Sequence, residues 1–316
     1  MSGTDGDAAL AGDYAALRTG YGALRSVRGA VIVSGPEAAE YLQGQCSQDV
    51  ATMAVGSAVD ALLLEPDGKL CALVRVLRTT ADRFVLDSTL GAEPLVAARL
   101  SRFRLRTKVE IDTVPEGEWR AVELRGPGVL EPDVAGGEVW ALPVDWNGVV
   151  GIDLLGAAPA AAVVGEPRWC GAAAGEALRV EAGIPVMGRE LDERTIAPEA
   201  GLVERTVSFT KGCYTGQELL ARLDARGNRV PRRLCGLVPL GPWPPDVVER
   251  LEGAAAVAAD GRQVGVVTSG AWCPGLGGPG ALGYVHRSVD VPGSVHLALD
   301  DGDALVAEAR PLPLVG

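Results

Sequence analysis

Lysine and histidine are scarce in this chain of 316 residues, which holds only Lys69, Lys108 and Lys211, with His286 and His296. The formal net charge is −12. Because non-specific binding to nucleic acid and to anionic membranes depends on basic side chains, we expect neither as a partner. The scarcity of histidine also disfavours cysteine catalysis that relies on a histidine base.

The cysteines are scattered, with no Cys-x-x-Cys pair and no zinc-like spacing, so no metal site is predicted. No apolar run is long enough to span a bilayer, and the acidic, polar segment 1–12 does not resemble a secretory signal. We therefore expect a cytoplasmic protein with free thiols. The cysteines are Cys46, Cys71, Cys170, Cys213, Cys235 and Cys273.

Strand and helix patterns alternate irregularly and include a hairpin, which predicts an α+β fold. In segment 30–50 a β-branched run precedes a helical pattern, with Ser34 as the expected N-cap. Segment 59–78 predicts a hairpin around Pro-Asp-Gly. Further elements are predicted as strands at 82–88, 106–113, 119–124 and 138–144, and as a helix at 91–103.

Segment 170–185 predicts a helix that stops at Gly183 and Pro185. Glu181 lies in its last turn, where a carboxylate faces the negative end of the helix dipole. Either the side chain is solvated at small cost, or a ligand requires a carboxylate there. From residue 232 the chain becomes β-rich with frequent Gly and Pro, which indicates a small β-barrel or sandwich.

The stretch 208–223 reads SFTKGCYTGQELLARL and predicts the end of a strand followed by a helix. Thr215 and Glu218 have the spacing of a capping box, so we expect the helix to run from Gly216 to Asp224. Cys213 would then lie just before the helix, where the helix dipole and the nearby Lys211 stabilise a thiolate. The alternative is that Cys213 is a small packed side chain.

An arginine-rich stretch at 226–233 is either a local basic patch or a solvated linker. The chain has no Gly-x-x-x-x-Gly-Lys-Ser/Thr sequence and no Gly-x-Gly-x-x-Gly after a strand. A phosphate-binding loop and a dinucleotide fingerprint are therefore not predicted.

The sequence KGCYTGQE at 211–218, followed by Arg222, resembles the signature of the YgfZ family. These folate-binding proteins assist iron–sulfur cluster assembly or repair, and are related to the aminomethyltransferase (T-protein) of the glycine cleavage system. Segments 31–50, 62–76, 178–222 and 264–287 resemble the family in order. The resemblance implies a three-part aminomethyltransferase-like fold: two interleaved α/β subdomains with the folate site in residues 1–231, and a C-terminal β-barrel in residues 232–316.

The resemblance also implies the site residues. Tetrahydrofolate or a one-carbon derivative would be the cofactor, and Glu181 would bind its pterin ring. Cys213 would be the reactive thiol at the mouth of the folate cavity, supported by Lys211. The remaining expected contacts around the folate are Tyr214, Gln217 and Arg222.

One departure separates the two related families. Aminomethyltransferases carry a catalytic acidic residue in the segment that corresponds to 67–76, where this chain has Lys69-Leu70-Cys71-Ala72-Leu73. We therefore expect an accessory factor that meets iron–sulfur client or assembly proteins, rather than a conventional turnover enzyme. The alternatives are a folate-dependent one-carbon transferase and a non-catalytic folate-binding scaffold.

Overall fold

The computed structural model describes residues 3–134, 138–244, 246–299 and 302–315. The outer ends of the two predicted regions, residues 1, 2 and 316, lie outside this part. The helices are α1 (Gly3–Thr19), α2 (Ala38–Gln45), α3 (Glu93–Arg102), α4 (Ala172–Ala182), α5 (Val203–Thr206), α6 (Gln217–Asp224) and α7 (Val248–Leu251).

Strands and helices alternate irregularly along the chain, which confirms the predicted α+β class. They are β1 (Gly22–Ser34), β2 (Ala58–Leu64), β3 (Leu70–Arg78), β4 (Arg83–Thr89), β5 (Glu110–Thr113), β6 (Arg120–Arg125), β7 (Val139–Trp146), β8 (Val149–Gly156), β9 (Arg168–Trp169), β10 (Arg232–Pro239), β11 (Ala255–Val257), β12 (Gln263–Cys273), β13 (Gly278–His286), β14 (Gly293–Ala298) and β15 (Ala304–Arg310).

The long strand β1 belongs to two half-sheets. Its first half, 22–27, pairs with β6, and its second half, 28–34, pairs with β4. The main path across this nine-stranded sheet is β2-β3-β4-β1-β6-β8-β7, and β5 and β9 each pair with β1 outside that path. One strand thus connects two α/β subdomains that are interleaved along the chain, as expected.

The C-terminal strands close into a barrel in the order β10-β13-β12-β11-β14-β15. Its interior is filled by small and branched side chains, including Leu237, Val267 and Leu297, so it is a packed core rather than a channel. Helix α4 lies between this barrel and the sheet. The buried face of α4 includes Ala177 and Leu178. The barrel therefore supports α4 from behind.

The predicted hairpin at 59–78 is formed by β2 and β3, with Gly68 at φ +85° in the turn. The helix predicted at 170–185 is α4, and Gly183 ends it at φ +70°. Within the described residues no helix is both long and apolar enough to cross a membrane.

The local predictions at Ser34 and at 207–209 are wrong. Ser34 ends β1 instead of capping a helix, because Gly35 turns the chain at φ +127° and α2 begins only at Ala38. The strand expected at 207–209 is absent from the described structure, since α5 runs up to Thr206 and a loop follows. Helix α1 had no counterpart among the sequence predictions.

Candidate functional site

A cavity of about 320 Å³ lies between the sheet and α4. Its walls combine apolar side chains, such as Leu73 and Val149, with an equal number of basic and acidic residues. This balance favours a polar ligand with several donors and acceptors over a simple ion. The charged lining residues are Arg25, Arg28, Asp60, Arg75, Asp87, Glu123, Arg125, Asp153, Glu176 and Arg179.

Asp153 on β8 is a buried carboxylate of the wall. Burial alone would raise its pKa, but the positive charges of Arg125 and Arg75 hold that pKa well below 3.8, so the group is ionised. Arg75 Nη1 donates to Oδ2 at 2.7 Å. Arg125 Nη2 lies 2.8 Å from Oδ1, but not in hydrogen-bond alignment, and Oδ1 has no hydrogen-bond partner in the described structure. Oδ1 is therefore held by the charge of Arg125 without an aligned N–H donor from the described residues.

Both carboxylate oxygens of Asp87 on β4 accept hydrogen bonds from other side chains. Arg28 on β1 donates to both of its oxygens, at 3.2 and 2.6 Å, and Trp119 Nε1 donates to Oδ1 at 2.9 Å. A buried carboxylate held by a guanidinium fork and an indole is a rigid structural unit. Asp87 thus fixes the direction of Arg28 at the point where β1 passes between the half-sheets.

Asp60 on β2 closes another side of the cavity. Its carboxylate accepts from Nε of Arg75 at 3.4 Å and also from Nε of Arg205. The guanidinium of Arg205 lies 4.4 Å from the ring centre of Trp146, which also lines the cavity. Arg205 precedes the loop that carries the KGCYTGQE motif (211–218) by a few residues, so the ion pair between Arg205 and Asp60 connects this loop to the cavity wall.

Helix α4 presents Glu176 and Arg179 to the cavity. Arg179 donates to both oxygens of Glu176 at 2.8 Å, and its Nη1 donates to Glu190 at 2.9 Å. The Glu190 side chain is fully buried and also accepts from Thr268 on β12 at 2.9 Å. The barrel thus holds Arg179, and through it Glu176, in place.

Glu181 lies on another face of α4 and is not part of the cavity lining. It is 1% exposed, and its carboxylate accepts from the Tyr14 hydroxyl and from the Gly275 N–H at 2.8 Å. Burial raises its pKa, and these two hydrogen bonds with the charge of Arg18 partly oppose that rise. The residue therefore joins α1, α4 and a barrel loop, which gives the carboxylate at this helix end a structural reason.

Lys211 is committed to backbone oxygens. Its Nζ donates to the carbonyls of Gln43, Cys46 and Gln48 at 2.6, 2.7 and 2.9 Å. The first two belong to the C-terminal turn and cap of α2, where a positive charge is favourable. Since an ammonium has three N–H donors, all of them are used. This geometry assigns Lys211 to holding the motif loop on α2, instead of to direct support of a Cys213 thiolate.

The capping box predicted for α6 is wrong. Gly216 is the N-cap at φ +83°, and the helix starts at Gln217 without a side-chain cap. A Cβ at Gly216 would lie 2.4 Å from the carbonyl oxygen of Glu65, so close packing on the hairpin selects glycine. The N–H of Thr215 donates instead to the carbonyl of Gly44 at 3.1 Å, which adds a second cap to the end of α2.

The other motif residues lie outside the cavity lining as well. Cys213 is exposed, as is Arg222, whereas Tyr214 is buried in a cluster with Leu64 and Leu70. Gln217 Oε1 accepts from the N–H of Tyr214 at 3.2 Å. The motif therefore forms a compact loop between α2 and the β2–β3 hairpin, with the Cys213 thiol at the surface.

In the part of the chain that the structure covers, no three His, Cys, Asp or Glu side chains converge as a metal site.

A solved structure of the glycine cleavage system aminomethyltransferase T from Bartonella henselae superimposes with a TM-score of 0.81, over 97% of this chain and 89% of that protein, at 22% identity. The chain has an aminomethyltransferase-like fold. Residues 232–315 match the glycine cleavage T-protein C-terminal barrel domain, which is the closed barrel described above.

The chain is also similar in sequence to two curated proteins. An aminomethyltransferase of Streptomyces coelicolor is 29% identical, over 91% of this chain and 84% of its own length. An uncharacterized protein of Haemophilus influenzae is 27% identical over 62% of this chain, and the match spans 65% of that protein, slightly under two thirds of its length. The barrel match and the Streptomyces coelicolor relative support a relationship of this chain to the glycine cleavage T-protein superfamily.

The charged wall of the central cavity was missed from the sequence. The signal was present: Arg75, Asp87 and Asp153 each interrupt an otherwise apolar strand. Charged side chains in such positions are rare unless they are paired or bind a ligand. What the sequence did not reveal is that these strands converge on one cavity.

Proposed function

We propose that this chain binds tetrahydrofolate or a one-carbon derivative in the central cavity. The observation that carries the proposal is Oδ1 of Asp153, a buried and ionised oxygen without a hydrogen-bond partner among the described residues. A reduced pterin ring has an N–H and an amino group side by side, and one carboxylate can accept from both. The cavity volume of about 320 Å³ lies in the range of small-ligand sites.

In this proposal Asp153 takes the pterin contact that the sequence suggested for Glu181. Arg75 and Arg125 keep Asp153 ionised, and Glu176 on α4 lines the same cavity. A bound tetrahydrofolate would supply a carrier for a one-carbon unit. Tyr214, Gln217 and Arg222, which the sequence suggested as folate contacts, are proposed to shape the loop that presents Cys213.

At a finer level we propose a YgfZ-type accessory factor for iron–sulfur proteins in the cytoplasm. Residues 1–231 would form the folate-binding region, residues 232–316 the barrel, and Cys213 would meet a client or assembly protein. The support is the KGCYTGQE sequence, the exposure of Cys213 and the lack of a carboxylate at 69–73. Turnover would not be required of such a protein.

Titration calorimetry with tetrahydrofolate tests the ligand and its contact together. We expect Asp153→Asn to weaken binding about tenfold or more, because a charge-assisted acceptor is lost. Glu181→Gln, the matched control on α4, should bind as the unaltered chain does. Failure of the unaltered chain to bind tetrahydrofolate contradicts the proposal, whereas normal binding by a folded Asp153→Asn contradicts only the assigned contact. Glu176→Gln provides a second cavity variant if Asp153→Asn does not fold.

The role of Cys213 is tested in cells that lack the protein. Expression of Cys213→Ser should fail to restore the activity of iron–sulfur enzymes, while Cys170→Ser, a half-buried cysteine outside the motif, should restore it. Full restoration by Cys213→Ser would contradict the accessory-factor assignment without affecting the folate proposal.

A folate-dependent one-carbon transferase is the second candidate. It is favoured by the carboxylates of Asp60, Asp87, Asp153 and Glu176 around the cavity, since such a reaction needs an acidic or basic group. Tetrahydrofolate-dependent release of ammonia from an aminomethylated carrier by the purified chain would support this candidate over the accessory factor.

A further inference from the structure

A second pocket, of about 390 Å³, lies on the face of the sheet that points away from the central cavity. We call it the outer pocket. It is bordered by β1 and β6 and covered on one side by segment 158–161. Its lining residues are Arg25, Ser26, Val27, Arg120, Ala121, Val122, Ala158, Pro159, Ala160 and Ala161.

Strand alternation fixes which side chains face this pocket. Leu24 packs in one cluster with Leu178 of α4, on the cavity side. Arg25 and Val27 stand at odd positions of the same strand and therefore point to the opposite face. The register of β1 on β6 pairs Arg25 with Val122 and Val27 with Arg120. Arg25 and Arg120 are thus diagonal neighbours on the outer face.

The guanidinium groups of Arg25 and Arg120 have no acidic partner within 4 Å among the described residues. The guanidinium of Arg25 lies over Trp169, 3.8 Å from the ring centre, and Arg120 Nε donates to the carbonyl of Gly117 at 2.8 Å. Like charges on neighbouring strands repel each other. In a chain of net charge −12 this pair is left without neutralisation by acidic residues, and an anion between the two would remove the repulsion.

The floor between the arginines is apolar. Val27 is 45% exposed, although it is a β-branched residue in the middle of a strand. Segment 158–161 adds only alanine and proline side chains. An apolar floor with two cations at its edge suits a ligand that has an apolar body and an anionic group. The volume matches one small molecule, so the geometry favours a small amphiphile over an extended polypeptide.

We infer that the outer pocket binds a small amphiphilic anion, an apolar or aromatic body with a carboxylate, sulfonate or phosphate group, between Arg25 and Arg120. The outer pocket shares Arg25 with the lining of the central cavity, but the inferred anion site lies on the outer face and does not depend on the proposed folate function. The anionic group contacts both guanidinia, and the apolar body covers Val27.

Fluorescence titration of the full chain with 8-anilinonaphthalene-1-sulfonate tests the site. We expect Arg25→Gln and Arg120→Gln each to raise the Kd about fivefold to tenfold, as expected for loss of one charge-assisted contact. Arg25→Lys should keep most of the affinity. Arg83→Gln, at an exposed arginine that begins β4, is the matched control and should change the Kd by less than about twofold, because exposed distant charges are screened.

A neutral analogue, N-phenyl-1-naphthylamine, should bind equally to all variants. Sulfonate binding that persists in the Arg25→Gln/Arg120→Gln double variant would locate the probe elsewhere and overturn the proposal. An equal loss of affinity for the sulfonate in Arg83→Gln would also overturn the proposal, because the loss would then follow from the change in total charge and not from a local contact. Retention of a peptide with an apolar carboxyl terminus, without sulfonate binding, would identify a protein segment as the occupant and also overturn it.

Discussion

The ammonium of Lys211 donates to the carbonyl of Cys46 at 2.7 Å, which joins the loop of the KGCYTGQE motif to the C-terminal end of α2. More than half of the sequence length separates these two residues. With two further carbonyls of the same turn, this contact caps α2 and anchors the loop that carries Cys213. A compact ammonium can point three donors at converging oxygens, whereas the planar guanidinium fork cannot. This explains a lysine at this position in a chain that uses arginine far more often than lysine.

Replacement of Lys211 by methionine should lower the free energy of unfolding by about 1–3 kcal/mol, since three backbone carbonyls lose a charged donor. Urea unfolding followed by circular dichroism measures the change. Lys69→Met, at an exposed lysine in the nearby hairpin, should be close to neutral. An unchanged midpoint for Lys211→Met would show that the ammonium is dispensable for the fold.

The thiols should differ sharply in reactivity. Cys213 is the exposed cysteine, while burial raises the pKa of Cys46 to about 12 and those of Cys71 and Cys235 to about 11. A rise of the pKa from 9.0 to about 12 lowers the thiolate fraction about a thousandfold.

Titration of the native chain with a chromogenic disulfide should therefore show one fast thiol and a slower Cys170. Loss of the fast phase in Cys213→Ser, but not in Cys170→Ser, checks the assignment. A fast phase that survives in Cys213→Ser would mean that a buried thiol opens readily.

Glu181 should make stability fall as the pH rises. Its pKa in the folded chain is raised above 4.5, so the native state holds this proton more tightly than the unfolded state does. The resulting stabilisation is fully present below pH 4.5 and is lost as the pH passes through the raised pKa.

Glu181→Gln should remove this contribution and flatten the dependence of the unfolding midpoint on pH above 4.5. Thermal unfolding at a series of pH values, compared with that of the unaltered chain, measures the effect. Parallel curves for the two proteins would contradict the burial argument.

Gly275→Ala should destabilise the contact between α1, α4 and the barrel. A Cβ there would lie 2.5 Å from the Tyr14 hydroxyl and 2.8 Å from the Glu181 oxygens, so the buried hydrogen bonds must shift. We expect a loss of about 1–3 kcal/mol and faster proteolysis within α1. Gly278→Ala, three residues later at the start of β13 and with open space around its Cβ position, is the control. Equal behaviour of the two variants would exclude the steric explanation.

The sequence predicted what depends on local pattern and on motif. The hairpin around Gly68, the stop of α4 at Gly183 and the β-rich C-terminal barrel follow from turn chemistry and from period-two patterning, which act over a few residues. The resemblance at KGCYTGQE predicted the aminomethyltransferase-like fold, because members of a superfamily share one fold even where their surface and cavity residues differ.

Only the tertiary structure decided the site. The sequence chose Glu181 because it stands in a recognisable motif, but a step of five residues along a helix separates its direction from that of Glu176, and only Glu176 faces the cavity. Asp60 and Arg75 are cross-strand partners in the β2–β3 hairpin, whereas Asp153 lies far along the chain and meets them because β1 links two half-sheets. Such convergence depends on strand order and register, which are properties of the whole chain and leave no local signal in the residues that converge.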